Sequence, residues 1–170
     1  YRKTFRPDLT TIVMVGRITP QRAREVAEKY FGAWKADGEK PPIDLPVVPP
    51  NRAKIVAVPD ESRVQNMVVL GQTIPINRAH PDYYALQLGN AVLGGSFYST
   101  RLSIDLRKNV GLVYSVGADM NAGRTRANYF VQFASDPQNV SKASAIIAQE
   151  LKKMQDEPVT ADELQRVKAL

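Results

Sequence analysis

The sequence predicts an α+β fold, a two-layer α/β sandwich in which a mostly antiparallel sheet carries its helices on one face. Three observations predict it. β-branched runs recur with turn residues between them, notably around Asn121-Ala-Gly123-Arg124, so neighbouring strands pair through hairpins. Between those runs, apolar residues recur at helical spacing and mark amphipathic helices, which pack on one side of such a sheet. Finally, 170 residues with 44% apolar and 24% charged side chains suffice for one sizeable core, or for one domain plus part of another.

The elements follow in order. Leu9–Val15 is β-branched and reads as a strand ended by Gly16. Thr19-Pro20 supplies an N-cap and a proline at the first helical position, and Ala23, Val26, Ala27, Tyr30, Phe31 and Trp34 follow as a helical stripe that reads as core packing. Residues 37–52 hold five of the twelve prolines, so they form neither helix nor central strand and read as a stiff linker. Domain boundaries are therefore expected at 1–36, 37–52 and 53–170. Lys54–Val58 and Val64–Leu70 read as strands on either side of Pro59–Arg63, the second running on toward Ile74. A helix is expected from about Pro81 to Leu93 with Tyr84, Leu88, Ala91 and Val92 on one face. Strands are expected over 112–120 and 125–134, and a long helix over 137–155 carrying Val140, Ala143, Ile147, Leu151 and Met154. Thr160-Ala-Asp-Glu163 is a capping box that opens a last helix, whose apolar stripe is Leu164, Val167 and Leu170. The start, without initiator Met or signal-peptide core, reads as a cut inside a longer chain, as does the end within that helix.

Several chemistries are excluded. The formal charge of +6 is scattered rather than striped and no aromatics interleave with it, which argues against nucleic-acid binding. No apolar run is long enough to span a membrane. One histidine and no cysteine cannot build a zinc site of the usual type, so no metal ligand and no catalytic residue is assigned in this chain. His80, beside Pro81, reads as a surface or helix-entry residue. Gly94-Gly95 lacks the further Gly or Lys-Ser/Thr of a phosphate loop and reads as a sharp corner before a helix capped by Ser99 or Thr100.

Arg107 and Tyr114 stand seven residues apart, with Gly111 between them as a helix breaker. Arg107 then falls at a helix end and Tyr114 near a strand start, and a helix folded back on its own strand would bring the two together. By spacing alone the pair reads as structural or solvent-facing, with a functional role as the alternative.

Leu93-Gly-Gly-Ser-Phe-Tyr-Ser-Thr-Arg-Leu102 and Leu106-Arg-Lys-Asn-Val-Gly-Leu-Val-Tyr-Ser115 resemble the pattern of the insulinase/pitrilysin family, zinc metallopeptidases with an inverted His-x-x-Glu-His motif. Tyr1 to Gly16, Ile18 to Trp34, Asp136 to Val140 and Val159 to Leu164 agree as well, so the resemblance covers nearly the whole chain. It implies a fold of the mitochondrial-processing-peptidase type, in which residues 1–36 are the last strand and helix of a preceding homologous domain and 53–170 a second, non-catalytic domain truncated at its C-terminus. Leu9–Trp34 is then homologous to the strand and helix that the second domain lacks, and is expected in their place, within the chain or from a neighbouring copy.

It also implies that Arg107 and Tyr114 bind the peptide near the scissile bond, while zinc and its water belong to another domain or subunit. Implied partners are a peptide or unfolded polypeptide, a zinc-bearing domain or subunit of the same family, and a second copy of the chain. Three functions follow: the non-catalytic, substrate-binding part of a zinc endopeptidase complete in its parent chain, an inactive subunit of a heterodimeric peptidase, or a structural peptidase-like core subunit. By resemblance the compartment is the periplasm, with the cytoplasm as alternative.

Overall fold

The computed structural model describes residues 4–44, 46–95 and 98–169. Leu170, expected on the last apolar stripe, Ser96–Phe97 of the Gly-Gly segment and Tyr1 lie outside the described residues. The chain divides into two compact units, Tyr1–Pro46 and Val47–Leu170.

The first unit holds a 3₁₀ turn, Pro7–Leu9, and helix α1, Pro20–Phe31. The Thr19 hydroxyl accepts the Arg22 N–H at 3.2 Å, and Pro20 takes the first helical position, where an N–H has no intrahelical partner. Trp34 lies beyond the helix, which stops at Phe31. Arg6 organises the rest of the unit. Its buried guanidinium pairs with both Asp8 oxygens at 2.8 and 2.9 Å and donates to the carbonyls of Asp37, Gly38 and Glu39.

The strand expected over Leu9–Val15 is not one. Residues 10–15 belong to no ladder, and Val13 and Val15 are 78% and 93% exposed. β-Branched composition favours an extended backbone, but a strand exists only where a neighbour accepts its N–H groups and donates to its carbonyls. Helix α1 likewise buries no residue, despite its apolar stripe.

The second unit is built on a three-stranded antiparallel sheet, β1 (Asn66–Ile74), β2 (Ser115–Ala122) and β3 (Ala127–Ser135), in the order β1-β3-β2. Ladder partners Leu70↔Val131↔Ala118 and Val68↔Phe133↔Val116 set one face of the sheet toward the helices. On that face lie α2 (Tyr83–Gly94), a π-helical segment Ser103–Asn109, and α3 (Val140–Asp156), with α4 (Ala161–Lys168) against α2. Leu93, Leu102, Leu106, Val131, Phe133, Ala143 and Ile147 make the core between the layers. Ala143 and Ile147 are one helical turn apart, so a single stripe of α3 covers β3.

The second expected strand, Lys54–Val58, also forms no ladder, and Ile55 is 98% exposed. Its composition is strand-like but the backbone beside it is out of reach. By contrast, the outer edge of β2 is covered. Asn90 and Gln87 of α2 donate side-chain amides to the carbonyls of Ala118 (2.8 Å) and Met120 (3.2 Å), which no strand serves.

At α4 the expected capping box is present, with Thr160 Oγ1 accepting the Glu163 N–H at 3.2 Å and Glu163 Oε2 accepting the Thr160 N–H at 2.8 Å. The same carboxylate takes two hydrogen bonds from Arg101, at 2.7 and 2.8 Å, and both side chains are only 15% exposed. Arg101 chiefly, then Thr160, hold the Glu163 carboxyl down to about 2 against the cost of burial. A group whose folded value is depressed stabilises the fold above its unfolded value near 4.5, and that stability is lost as pH falls toward 2. The depression corresponds to about 3 kcal/mol. Glu163→Gln is therefore expected to lower stability near neutral pH by about 1–3 kcal/mol and to flatten acid destabilisation between pH 4.5 and 2. Urea titrations across that range measure both.

Candidate substrate-binding site

The Gly-Gly corner is where the helix layer meets β2. A Cβ on Gly94 would stand 2.7 Å from the Ala118 Cβ and 2.9 Å from its backbone nitrogen, so hydrogen is all that fits there. After the corner, the Thr100 hydroxyl accepts the Ser103 N–H at 3.3 Å and starts the next helix, as one of the two expected caps. That helix widens into the π-helical segment, and Gly111, at φ +62°, turns the chain back. The Leu112 N–H then closes on the Leu106 carbonyl at 2.8 Å.

This segment anchors its apolar residues and presents its polar ones. Leu106, Leu112 and Val113 are buried in the core, whereas Arg107 is exposed and Tyr114 is 51% exposed. Two bonds pin the strand entry to the end of β3. The Tyr114 N–H donates to the Ala134 carbonyl at 2.8 Å, and the buried Ser135 hydroxyl donates to the Leu112 carbonyl at 2.7 Å.

Each of the two candidate side chains rests on a residue that the sequence pattern had not singled out. The Arg107 guanidinium lies over the Tyr98 ring, 5.0 Å from its centroid, and Tyr98 itself is 81% exposed. Among the described residues Arg107 has no carboxylate partner, so its five donors are available to a ligand. The Tyr114 hydroxyl donates to Asp136 Oδ1 at 3.0 Å, and the carboxylate raises the phenol above its ordinary value, first through that hydrogen bond and then through its charge. A Gln65 hydrogen bond to the phenol opposes this. No hydrogen bond or ring contact joins Arg107 to Tyr114 among the described residues; the helix turns back on β2, but each side chain settles on its own partner. Spacing could not have found Asp136, which reads as a helix start, nor Tyr98, nine residues before Arg107.

Asp136→Asn is expected to bring the Tyr114 pKa down toward the ordinary value near 10, since both the charge and the stronger acceptor are lost. Titration of ¹³C-labelled tyrosines by NMR reads this directly.

His80 is a helix-entry residue, its Nδ1 accepting the Asp82 N–H at 3.2 Å. Among the described residues no three His, Cys, Asp or Glu side chains converge as metal ligands. With one histidine and no cysteine, the donor set of this chain does not fit a zinc ion. No helix among the described residues is long and apolar enough to cross a membrane.

The chain is 24% identical over 163 residues to Protein YhjJ of Salmonella typhimurium, and 24% identical over 164 residues to the uncharacterized zinc protease YmxG of Bacillus subtilis. Both alignments cover 96% of this chain but 33% and 38% of those proteins, so it spans about a third of their length. Among solved structures, a peptidase M16 inactive domain from Pseudomonas fluorescens superposes with a TM-score of 0.79 at 23% identity, over 91% of this chain and 37% of that one. The periplasmic protease PqqL of Escherichia coli gives 0.70 at 16% identity, over 90% of this chain and 17% of its own. These likenesses share the α+β architecture described above. The family model for the peptidase M16 inactive domain matches residues 1–170, and the chain belongs to that family of non-catalytic domains of zinc proteases.

Proposed function

We propose that this chain is the substrate-binding, non-catalytic part of a zinc endopeptidase, in which Arg107 and Tyr114 hold an extended peptide at the scissile bond. One observation carries the reading: both side chains project, Arg107 over the Tyr98 ring and Tyr114 onto Asp136, from a segment whose Leu106, Leu112 and Val113 are locked in the core. A guanidinium with free donors grips a peptide carbonyl. The Tyr114 proton is already given to Asp136, so the phenol reaches an oxyanion only by exchanging that bond, which favours the more negative acceptor of the transition state over a ground-state carbonyl. The metal site belongs to another domain or subunit of the same family, since this chain's donors do not make one; zinc there would supply the activated water. A peptide or unfolded polypeptide is the substrate. The name of PqqL supports a periplasmic location. A second reading, an inactive subunit that lends the same pair to a zinc-bearing partner, rests on the same residues.

Zinc content and turnover of an unstructured peptide by the full-length protein test the proposal. The expected result is about one zinc per full-length chain and activity that falls on Arg107→Ala. A zinc-free full-length chain that gains activity only with a second subunit favours the second reading. Unchanged turnover by folded Arg107→Ala and Tyr114→Phe proteins overturns the assigned role and leaves the structural-subunit reading.

A further inference from the structure

Arg6 and Arg101, the two arginines built into the fold, spend their guanidinium donors on carboxylates. Arg6 pairs with Asp8 at 2.8 and 2.9 Å, and Arg101 with Glu163 at 2.7 and 2.8 Å. Exposed Arg22 and Arg63 do the same with Glu25 and Asp60. Arg107, six residues beyond Arg101 on the same stretch of chain, is held differently. Among the described residues it has no carboxylate partner, and its guanidinium lies over the Tyr98 ring, 5.0 Å from the centroid. The nearest carboxylate along the chain is turned elsewhere. Asp105 accepts the Asn109 side-chain amide at 3.1 Å, and a residue two positions away on a helix does not face Arg107.

The choice of partner has a chemical consequence. An ion pair holds a guanidinium firmly but occupies the in-plane N–H groups that a peptide carbonyl needs. A ring face attracts the cation through its quadrupole instead, and leaves those N–H groups to a ligand. Tyr98 is suited to this task and to no packing task. Its ring is 81% exposed, so it belongs to no core, and among the described residues its hydroxyl makes no hydrogen bond. The chain between ring and cation is well seated. The Thr100 hydroxyl accepts the Ser103 N–H at 3.3 Å, and Leu102 and Leu106 are fully buried.

An arginine side chain without a partner samples many rotamers, and a ligand that uses it must fix them. A guanidinium already seated on a ring has part of that ordering done before the ligand arrives. We propose that Tyr98 is a positioning residue, whose ring holds the Arg107 guanidinium so that its N–H donors are ordered when the peptide carbonyl reaches them. The inference rests on the peptide-binding role proposed above for Arg107. It adds to that site a residue that acts through the arginine.

Steady-state kinetics of the full-length protein on one fluorogenic peptide test it, with Tyr98→Ala, Tyr98→Phe, Arg107→Ala and the double alanine variant. Tyr98→Ala should raise KM by about 2- to 5-fold, the range of an exposed cation–π contact, with a smaller change in kcat. Tyr98→Phe keeps the ring and should leave KM unchanged. In the Arg107→Ala background, Tyr98→Ala should have no further effect, whereas a ring with a merely structural role would cost the same in both backgrounds. At an exposed position none of these changes should alter the circular dichroism of the protein. An Arg107→Ala protein with parental turnover removes the peptide-binding reading and this inference with it. Three results overturn the role of Tyr98 alone, given an impaired Arg107→Ala protein: unchanged KM in Tyr98→Ala, equal loss in Tyr98→Phe, or losses that multiply in the double variant.

Discussion

If the full-length protein is the peptidase proposed above, replacing Arg107 by alanine in it is expected to lower kcat/KM by about 10- to 1000-fold, and Tyr114→Phe by a loss in the same range. The two should divide differently between kcat and KM. In the proposed role Arg107, without a carboxylate partner among the described residues, holds the peptide before and during reaction, so part of its loss should fall on KM. Tyr114 has committed its proton to Asp136, so its contribution is made where negative charge develops, and its loss should fall on kcat. Because no hydrogen bond or ring contact joins the two side chains, the losses should also be close to additive in the double variant, within a factor of a few. Steady-state kinetics on one fluorogenic peptide measure all three. A Tyr114→Phe protein with unchanged kcat and raised KM would mean that the phenol binds the ground state instead.

Gly94→Ala is expected to destabilise the chain by about 2 kcal/mol and lower its Tm by about 4–8 °C. The added Cβ would meet the Ala118 Cβ at 2.7 Å, the Ala118 backbone at 2.9 Å and Leu102 at 3.0 Å. Backbone cannot step aside as a side-chain tip can, and β2 is itself tied to α2 through Asn90 and Gln87. The same exchange at Gly89, five residues earlier in α2, should do the opposite. There the nearest atom is the flexible Met154 Cε at 3.6 Å, an ordinary contact, and alanine should stabilise the helix by about 0.5–1 kcal/mol. Thermal unfolding of the two variants side by side separates close approach from helix propensity. A stabilised Gly94→Ala protein would show that α2 and β2 are not pressed together at this corner.

Which features were legible in the chain follows from their range. Thr19-Pro20, Thr160-Ala-Asp-Glu163 and the stop at Gly111 are bonds closed within a few residues, so their geometry is written locally. The long stripe of α3 and the hairpin of β2 and β3 are similarly local in pattern, and their boundaries shift by only a few residues. Leu9–Val15 and Lys54–Val58 carry the same β-branched signal as β1, yet they form no strand. A ladder needs a second backbone at 4.7–4.9 Å, and no composition states whether one is there.

At the candidate site the division is the same. The motif around Gly94-Gly95 and the order Arg107, Gly111, Tyr114 could be read from residues alone, as could the want of zinc ligands in a chain with one histidine and no cysteine. The tertiary structure decided what each of the pair touches. Tyr98 meets the Arg107 guanidinium across nine residues of chain, and Asp136 reaches Tyr114 because β3 ends beside the start of β2. Sequence thus determined the residue types, the caps and the chemistry this chain lacks. Packing alone determined which groups Arg107 and Tyr114 touch, because partners distant along the chain meet only when the layers close.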